Sequence, residues 1–396
     1  MKTLLTHHGF RNLYLAGAAS QFGSQISYVA LPLLAVTALG AGAGEVGLLS
    51  ALGMLTVLVL GLPAGAWVDR ARRRPLMVAA DLARAALLLS VPVAWWLGWL
   101  TMGQLYLVAT LVGAGTLVFD VAAVSLLPGL VGRDRLTAAN SALVSTSSAM
   151  DIAGRGAAGV LVQAVGAPVA VLLDAASHLW SAAWLRGVHE PAPVRDVRPP
   201  LREQIGEGLR FLTGNRTLVA IAAQGAMVNL AFPLCSALLP VLLVAELGLP
   251  AWVLGAYLAA GSAGVLTGSA VAHLIGRRFG TARAAWLVSL VTTPASLVVP
   301  LLDRGGWLWA AGLAWFVLMV RTGVNNVLLV SLRQQITPDG MLGRVNATMR
   351  LLLTGAVGLG GLLAAAVGEL WGVRPALWAG AVILALSWLP LRSTLR

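Results

Sequence analysis

Polar surface is what this sequence has least of. Charged residues fill 11% of its 396 positions against 58% hydrophobic, and the mean hydropathy is +0.85. Too few polar side chains remain to cover a water-soluble globule of that length, so a polytopic, all-α helical membrane protein is expected. Cysteine occurs once, at Cys235 within an apolar stretch. A lone thiol closes no internal disulfide and builds no multi-cysteine metal site, so it reads as a small buried hydrophobe. Also missing are a Gly-x-x-x-x-Gly-Lys-Ser/Thr phosphate loop, a Cys/His cluster at zinc spacing and a nucleophile triad. An ATP motor within the chain, a metal site, a cofactor and enzymatic catalysis are therefore not expected. Met1-Lys2-Thr3 leads toward an apolar run of full spanning length, not a short core with a small-residue cleavage site, and no cleaved signal is expected.

What is present is a series of apolar runs. A helix crossing hydrocarbon needs roughly 20 apolar residues. Runs of that kind fall at 12–38, 45–68, 75–98, 102–126, 136–165, 168–188, 217–246, 250–276, 281–302, 306–334, 341–370 and 375–391. The longest polar interruption divides them six and six, predicting a six-helix bundle over 1–188, a cytoplasmic linker over 189–216 and a second six-helix bundle over 217–396. Within the linker, Leu201, Ile205, Leu209 and Leu212 recur at helical spacing opposite Arg202, Glu203 and Arg210, which predicts a short interfacial helix. A weak internal repeat agrees with the paired halves: Leu136, Asn140 and Gly154 stand 206 residues ahead of Leu342, Asn346 and Gly360. Paired repeats around a site near the bilayer midplane are the usual build of a secondary transporter.

A net charge of +12 would suggest nucleic acid in a soluble protein. Here the basic residues sit in alternate loops, which is a topology signal, and no nucleic-acid partner is expected. The connections at 40–45, 98–103, 166–168 and 246–250 hold no Lys or Arg, and Arg304 and Arg374 are the only basic residues in the other loops of that set. The opposite set holds Lys2, Arg11, Arg70 to Arg74, Arg133, Arg135, Arg186 through Arg216, Arg277 to Arg283, Arg333, Arg344 and Arg392. The positive-inside rule then puts both termini in the cytoplasm. Trp96, Trp99, Trp252, Trp307, Trp309, Trp371 and Trp378 cluster at the opposite, outer ends of the spans, as an interfacial belt does. A single lysine in a chain rich in Ala, Gly, Leu, Val and Arg suggests a bacterial source, hence an inner membrane.

One loop carries a recognisable pattern: Gly65, Ala66, Trp67 and Val68 run into Asp69 and Arg70, then Ala71, Arg72, Arg73 and Arg74. It resembles the signature between the second and third helices of the major facilitator superfamily. Gly65, Asp69, Arg70, Arg73 and Arg74 match, while Arg72 stands where glycine is usual. The opening Phe10-Arg11-Asn12-Leu13-Tyr14, the runs Leu127-Pro128-Gly129-Leu130-Val131 and Leu136-Thr137-Ala138-Ala139-Asn140, and Gly343-Arg344-Val345-Asn346-Ala347 are similar to the macrolide-efflux and enterobactin-exporter branch of that superfamily. The resemblance implies two six-helix bundles rocking about a cavity lined by the first, fourth, seventh and tenth spans.

Ionisable groups inside apolar spans are costly and are functional candidates by default. Asp151 and Arg155 lie one turn apart on the fifth span, able to neutralise each other, as a proton-coupling pair or as a structural ion pair. Many exporters of the superfamily carry Gly-Pro at this place; Gly154-Arg155-Gly156 departs from it. Asp120, toward the cytoplasmic end of the fourth span, reads as a proton site or as a partner for the arginine loop. Arg321, with Asn325 one turn on, could take an anionic substrate group, counter an acid or bridge helices. Asp81 and Arg84 fit an architectural role beside Asp69. Asp174 and His178 form either a proton relay or a local hydrogen-bonded pair. Gln21, Ser24 and Tyr28 on the first span, with Gln224 and Asn229 on the seventh, add hydrogen-bonding points to an otherwise apolar lining, which suits amphipathic molecules better than sugars.

The reading is a monomeric secondary transporter that exports amphipathic small molecules across the lipid bilayer, with protons as coupling ion. Alternatives are a siderophore or lipid exporter and a non-transporting membrane receptor or assembly partner. On this topology, with Cys235→Ser as background, Trp99→Cys in intact cells reacts with a membrane-impermeant maleimide and Arg72→Cys reacts only after permeabilisation. Labelling of both from outside overturns the orientation.

Overall fold

The structure is a computed structural model describing residues 7–68, 71–132, 135–188, 190 and 201–395, with side chains at all of these except 62–67, 137, 201–205, 339 and 395. Its secondary structure is helical throughout the described residues. The order is α1 (His8–Leu39), α2 (Ala43–Val68), α3 (Arg73–Trp96), α4 (Met102–Val131), α5 (Leu136–Val165), α6 (Ala167–Leu185), α7 (Leu201–Gly214), α8 (Arg216–Ser236), α9 (Ala251–Phe279), α10 (Thr281–Thr292), α11 (Gly306–Ile336), α12 (Asp339–Trp371) and α13 (Val373–Leu386). Two compact units form. One comprises Met1–Ala41, Leu52–Val197 and Leu243–Ala259; the other comprises Gly42–Ala51, Arg198–Leu242 and Ala260–Arg396.

Helix ends fall close to the expected spans, because the same residues that interrupt hydropathy also stop helices. Thr101 caps α4 by accepting from the Gln104 amide at 3.3 Å, and Asn215 caps α8 by accepting from Thr217 and Leu218 at 3.0 and 3.2 Å. Proline reshapes two spans the sequence reads as unbroken. α8 ends at Ser236 ahead of Pro240, and the chain continues as a π-turn over Val241–Glu246. α10 passes at Pro294 into a 3-10 helix, Thr293–Leu301, since proline offers no amide to the α ladder. Among the described residues, ten helical segments are long and apolar enough to cross a membrane. The two predicted spans outside that set are α5 and α6, where Ser145, Thr146, Ser147, Ser148, Asp151 and Arg155, and then Asp174 and His178, dilute the apolar character. A helix is present at the expected place as α7, with Leu212 buried and Leu209 exposed. An ion pair between Glu207 and Arg344 ties it to α12. Both partners are more than one-third exposed, so the pair contributes at most about 1 kcal/mol.

The 206-residue repeat recurs in the backbone. Gly166 and Gly372 stand that distance apart, and each ends one helix and begins the next at positive φ, 86° and 93°. Gly154 and Gly360 also correspond, and each is where two helices touch backbone to backbone. A Cβ on Gly154 would lie 2.9 Å from the Phe22 carbonyl oxygen of α1; one on Gly360 would lie 3.0 Å from the Leu230 Cα of α8 and closer still to its carbonyl oxygen. In hydrocarbon, where lipid tails are as apolar as leucine, such close van der Waals approach is a main attraction between helices.

Inside the first unit, α1, α3, α4 and α6 close over a core of Phe10, Leu13, Met77, Phe119, Leu126 and Leu185. At its polar centre, Asp81 and Arg84 of α3 pair with each other and are almost fully buried. The other Asp81 oxygen accepts from the Ser181 hydroxyl at 2.6 Å, and His178 Nδ1 stands 3.2 Å from both Asp81 and Ser20. His178 Nε2 lies 3.3 Å from Asp174. Arg84 also donates to Thr116 at 3.2 Å and stacks over Phe119 at 4.8 Å. The sequence reading gave Asp81 and Arg84 an architectural role beside Asp69, and Asp174 and His178 the alternatives of a proton relay or a local hydrogen-bonded pair. The structure joins all four into one network across four helices, because i, i+4 spacing on α6 and i, i+3 spacing on α3 bring both pairs onto facing sides.

Removing one member of a buried ion pair strands the other, at a cost of about 3–5 kcal/mol. Arg84→Leu is therefore expected to lower thermal stability of the purified protein by that amount, and well below an exposed control such as Arg278→Leu. Gly360→Val, which forces α12 away from α8, is expected to destabilise by about 1–3 kcal/mol, measured in the same assay.

Candidate functional site

Polar groups meet on the half-buried flank where α1 packs on α5. α5 approaches closely because Gly154 gives it no side chain at the contact, and that brings residues on either side of it within reach of two glutamines. Gln21 Nε2 donates to Asp151 Oδ1 at 2.8 Å. One turn along, Arg155 Nε donates to Gln25 Oε1 at 2.8 Å, and its guanidinium lies over the Tyr28 ring, 5.0 Å from the centroid. Gln21 and Gln25 stand four apart on α1, as do Asp151 and Arg155 on α5, so the two helices pair as rungs of a ladder.

This corrects the expectation that Asp151 and Arg155 neutralise each other. No ion pair among the described residues joins them, and each is instead held by a neutral amide. An amide orients such a group without pairing it, so a carboxyl and a guanidinium group remain side by side, both half-buried. Tyr28 is 40% exposed at the edge of this patch. Ser24, half-buried on α1, takes no part in the ladder. Gln25 was not singled out from the sequence. Its signal was available, since it stands one turn beyond Gln21 as Arg155 stands one turn beyond Asp151. Asp120 has an exposed side chain on α4, next to the Phe119 that receives Arg84.

The second unit disposes of its candidates differently. Asn229 turns back on its own helix and donates to the Gly225 carbonyl at 2.8 Å. Gln224 is buried. Arg321 and Asn325, read from the sequence as groups for a substrate, lie in the interior: Arg321 is 1% exposed and donates to Ser387 at 2.8 Å, and Asn325 donates to Ser289 at 2.8 Å. Arg321 thus links α11 to the end of α13, the bridging role among its sequence alternatives.

Of the arginine loop, Asp69 and Arg70 lie outside the described residues, and Gly65 falls within α2. Arg73 and Arg74 open α3, and both of their backbone amides donate to the Glu190 carboxylate, at 2.8 and 3.2 Å. A carboxylate there satisfies two of the unbonded amides at a helix start and meets the positive end of its dipole. The Arg74 side chain reaches the other way, donating to the carbonyls of Leu185, at 3.2 Å, and Arg186, where α6 ends. A cation at a helix C-terminus is favoured by the same dipole. Glu190 thus fastens one end of the motif and Arg74 the other. Reading the sequence for the motif alone missed Glu190, 116 residues beyond Arg74.

Residues 13–358 match the family model described as Major Facilitator Superfamily. No curated protein matches the chain. Among solved structures it is similar to a bacterial homologue of the iron transporter ferroportin in its inward-facing state, with a TM-score of 0.78, 17% identity and 98% of each chain covered. It is also similar to the nucleoside transporter NupG, with a TM-score of 0.72, 13% identity and 96% and 98% of the two chains covered. A third is a bacterial homologue of the human lysosomal transporter Spinster in an inward-facing, unoccupied conformation, with a TM-score of 0.74, 14% identity and 98% and 97% covered. At such identities the likeness is one of fold. With apolar helices of spanning length, an all-α architecture and a family match over most of its length, this chain belongs to the Major Facilitator Superfamily and is a multi-pass membrane transporter.

Proposed function

We propose that this transporter exports amphipathic small molecules, drugs or natural products, by alternating access and in exchange for protons. It would lie in a bacterial inner membrane with both termini cytoplasmic, work as a monomer, and take its place in the macrolide-efflux and enterobactin-exporter branch that its sequence motifs resemble. The observation that carries this reading is the α1–α5 ladder. The Asp151 carboxyl stands next to Arg155 without being paired to it, so a proton, or a cationic group on a substrate, has a carboxylate to compete for. The same arginine disfavours a bare metal ion as cargo, since any cation bound at Asp151 also meets a fixed positive charge. Tyr28 beside the ladder offers a flat apolar face ending in a hydroxyl, which suits an amphipathic ring system better than a sugar. In this mechanism Asp151 is the group that takes and releases the coupling proton, Arg155 sets its competition, and Asp120 is a second carboxylate able to share the role. The arginine motif, with Asp69, serves as the cytoplasmic latch.

The test uses the full-length protein in proteoliposomes with ethidium as probe. An imposed pH gradient is expected to drive ethidium transport by wild type, with proton movement in the opposite sense. Asp151→Asn together with Asp120→Asn is expected to lose the dependence on the gradient. Unchanged coupling in that double variant removes both carboxylates from the mechanism. Ethidium binding with no flux at any pH or gradient favours a receptor in place of a transporter.

A further inference from the structure

Arg321 is a buried cation that pairs with no carboxylate among the described residues. It is 1% exposed, its Nε has no hydrogen-bond partner, and none of the ion pairs among the described residues includes it. Among the described residues, the ion pairs of the second unit are Arg344 with Glu207 and Arg374 with Asp303. A guanidinium stays protonated under physiological conditions, and burying an ion with only neutral partners is among the costliest arrangements a membrane protein can hold. Ser387 relieves little of this. Its hydroxyl donates to the Leu384 carbonyl at 2.7 Å while its oxygen accepts from Arg321, so it supplies a dipole and no charge.

The first unit shows what is missing. The 206-residue shift that relates the two halves carries Ser181 onto Ser387 and Gly115 onto Arg321. Gly115 is where the stem of Arg84 lies: a Cβ there would come within 2.8 Å of Arg84 Cγ. A guanidinium therefore enters each unit near corresponding positions, from α3 in the first and from α11 in the second. In the first unit it meets Asp81 directly and Asp174 through His178. The shift carries Asp174 and His178 onto Gly380 and Leu384, which are apolar and buried. The second unit thus keeps the cation and the serine and lacks the acids.

We infer that the interior of the second unit is a binding site for a small monovalent anion of halide size, held by Arg321 and supplying the counter-charge that Asp81 and Asp174 supply in the first unit. The site is separate from the α1–α5 ladder and independent of the exported substrate.

The test follows thermal unfolding of the full-length protein in phosphatidylcholine nanodiscs, which carry no anionic headgroups, comparing sodium chloride and sodium bromide with sodium gluconate at equal ionic strength. Both halides are expected to raise Tm saturably, by about 3 °C or more at saturation, while gluconate is too large to enter. Arg321→Gln is expected to abolish the rise. Ser387→Asp places a carboxylate beside the guanidinium and is expected to give a folded protein whose Tm no longer responds to halide. A wild type indifferent to halide overturns the inference even if Arg321→Gln fails to fold, and so does a halide response that persists in Ser387→Asp.

Discussion

In hydrocarbon a charge must find its partner within the protein, because neither water nor lipid tails will supply one. The helices of the first unit obey that constraint at Arg84. Its guanidinium takes Asp81 from its own helix, Thr116 and Phe119 from α4, and through Asp81 the hydroxyl of Ser181 on α6. His178 extends the chain to Asp174 and to Ser20 of α1. Four helices that share no directional attraction through their apolar faces are thereby given one register. Gly23 completes the arrangement, since any side chain there would strike Ser177 and Asp174.

The same constraint explains how the polar groups divide between structure and site. Asp81, Arg84, Asp174 and His178 are buried and bonded to one another. Asp151 and Arg155 are half-buried, and neutral glutamines hold each in place without cancelling it. Holding charges apart costs stability. The arginine motif follows a third pattern. Glu190 and Arg74 use helix dipoles, not opposite side chains, to fasten the start of α3 and the end of α6.

The two units share a plan while differing in chemistry. Gly154 and Gly360 seat corresponding helices against the first helix of each set, and Gly166 and Gly372 make the same turn. At the polar centre the plan diverges, with Asp174 and His178 in one unit where the other has Gly380 and Leu384. Close backbone approach tolerates no side chain, so it survives as glycine at fixed spacing. A charge network can be rebuilt from whichever helix carries the arginine.

The sequence by itself determined the class of fold, the positions of nearly all helices and the repeat, because hydropathy and the residues that end helices are local properties. It also marked Asp151, Arg155, Asp81, Arg84, Asp174, His178 and Arg321 as exceptional, since any ionisable group in an apolar run is conspicuous. Only the tertiary structure decided whom each one meets. Spacing of four made Asp151 and Arg155 look like a pair, yet Gly154 draws α1 close enough for Gln21 and Gln25 to intervene. Glu190 reaches Arg73 and Arg74 across more than a hundred residues, and Arg321 turns into the interior toward Ser387. Such partners are set by which helices pack together and how closely, and a one-dimensional pattern holds no record of that distance.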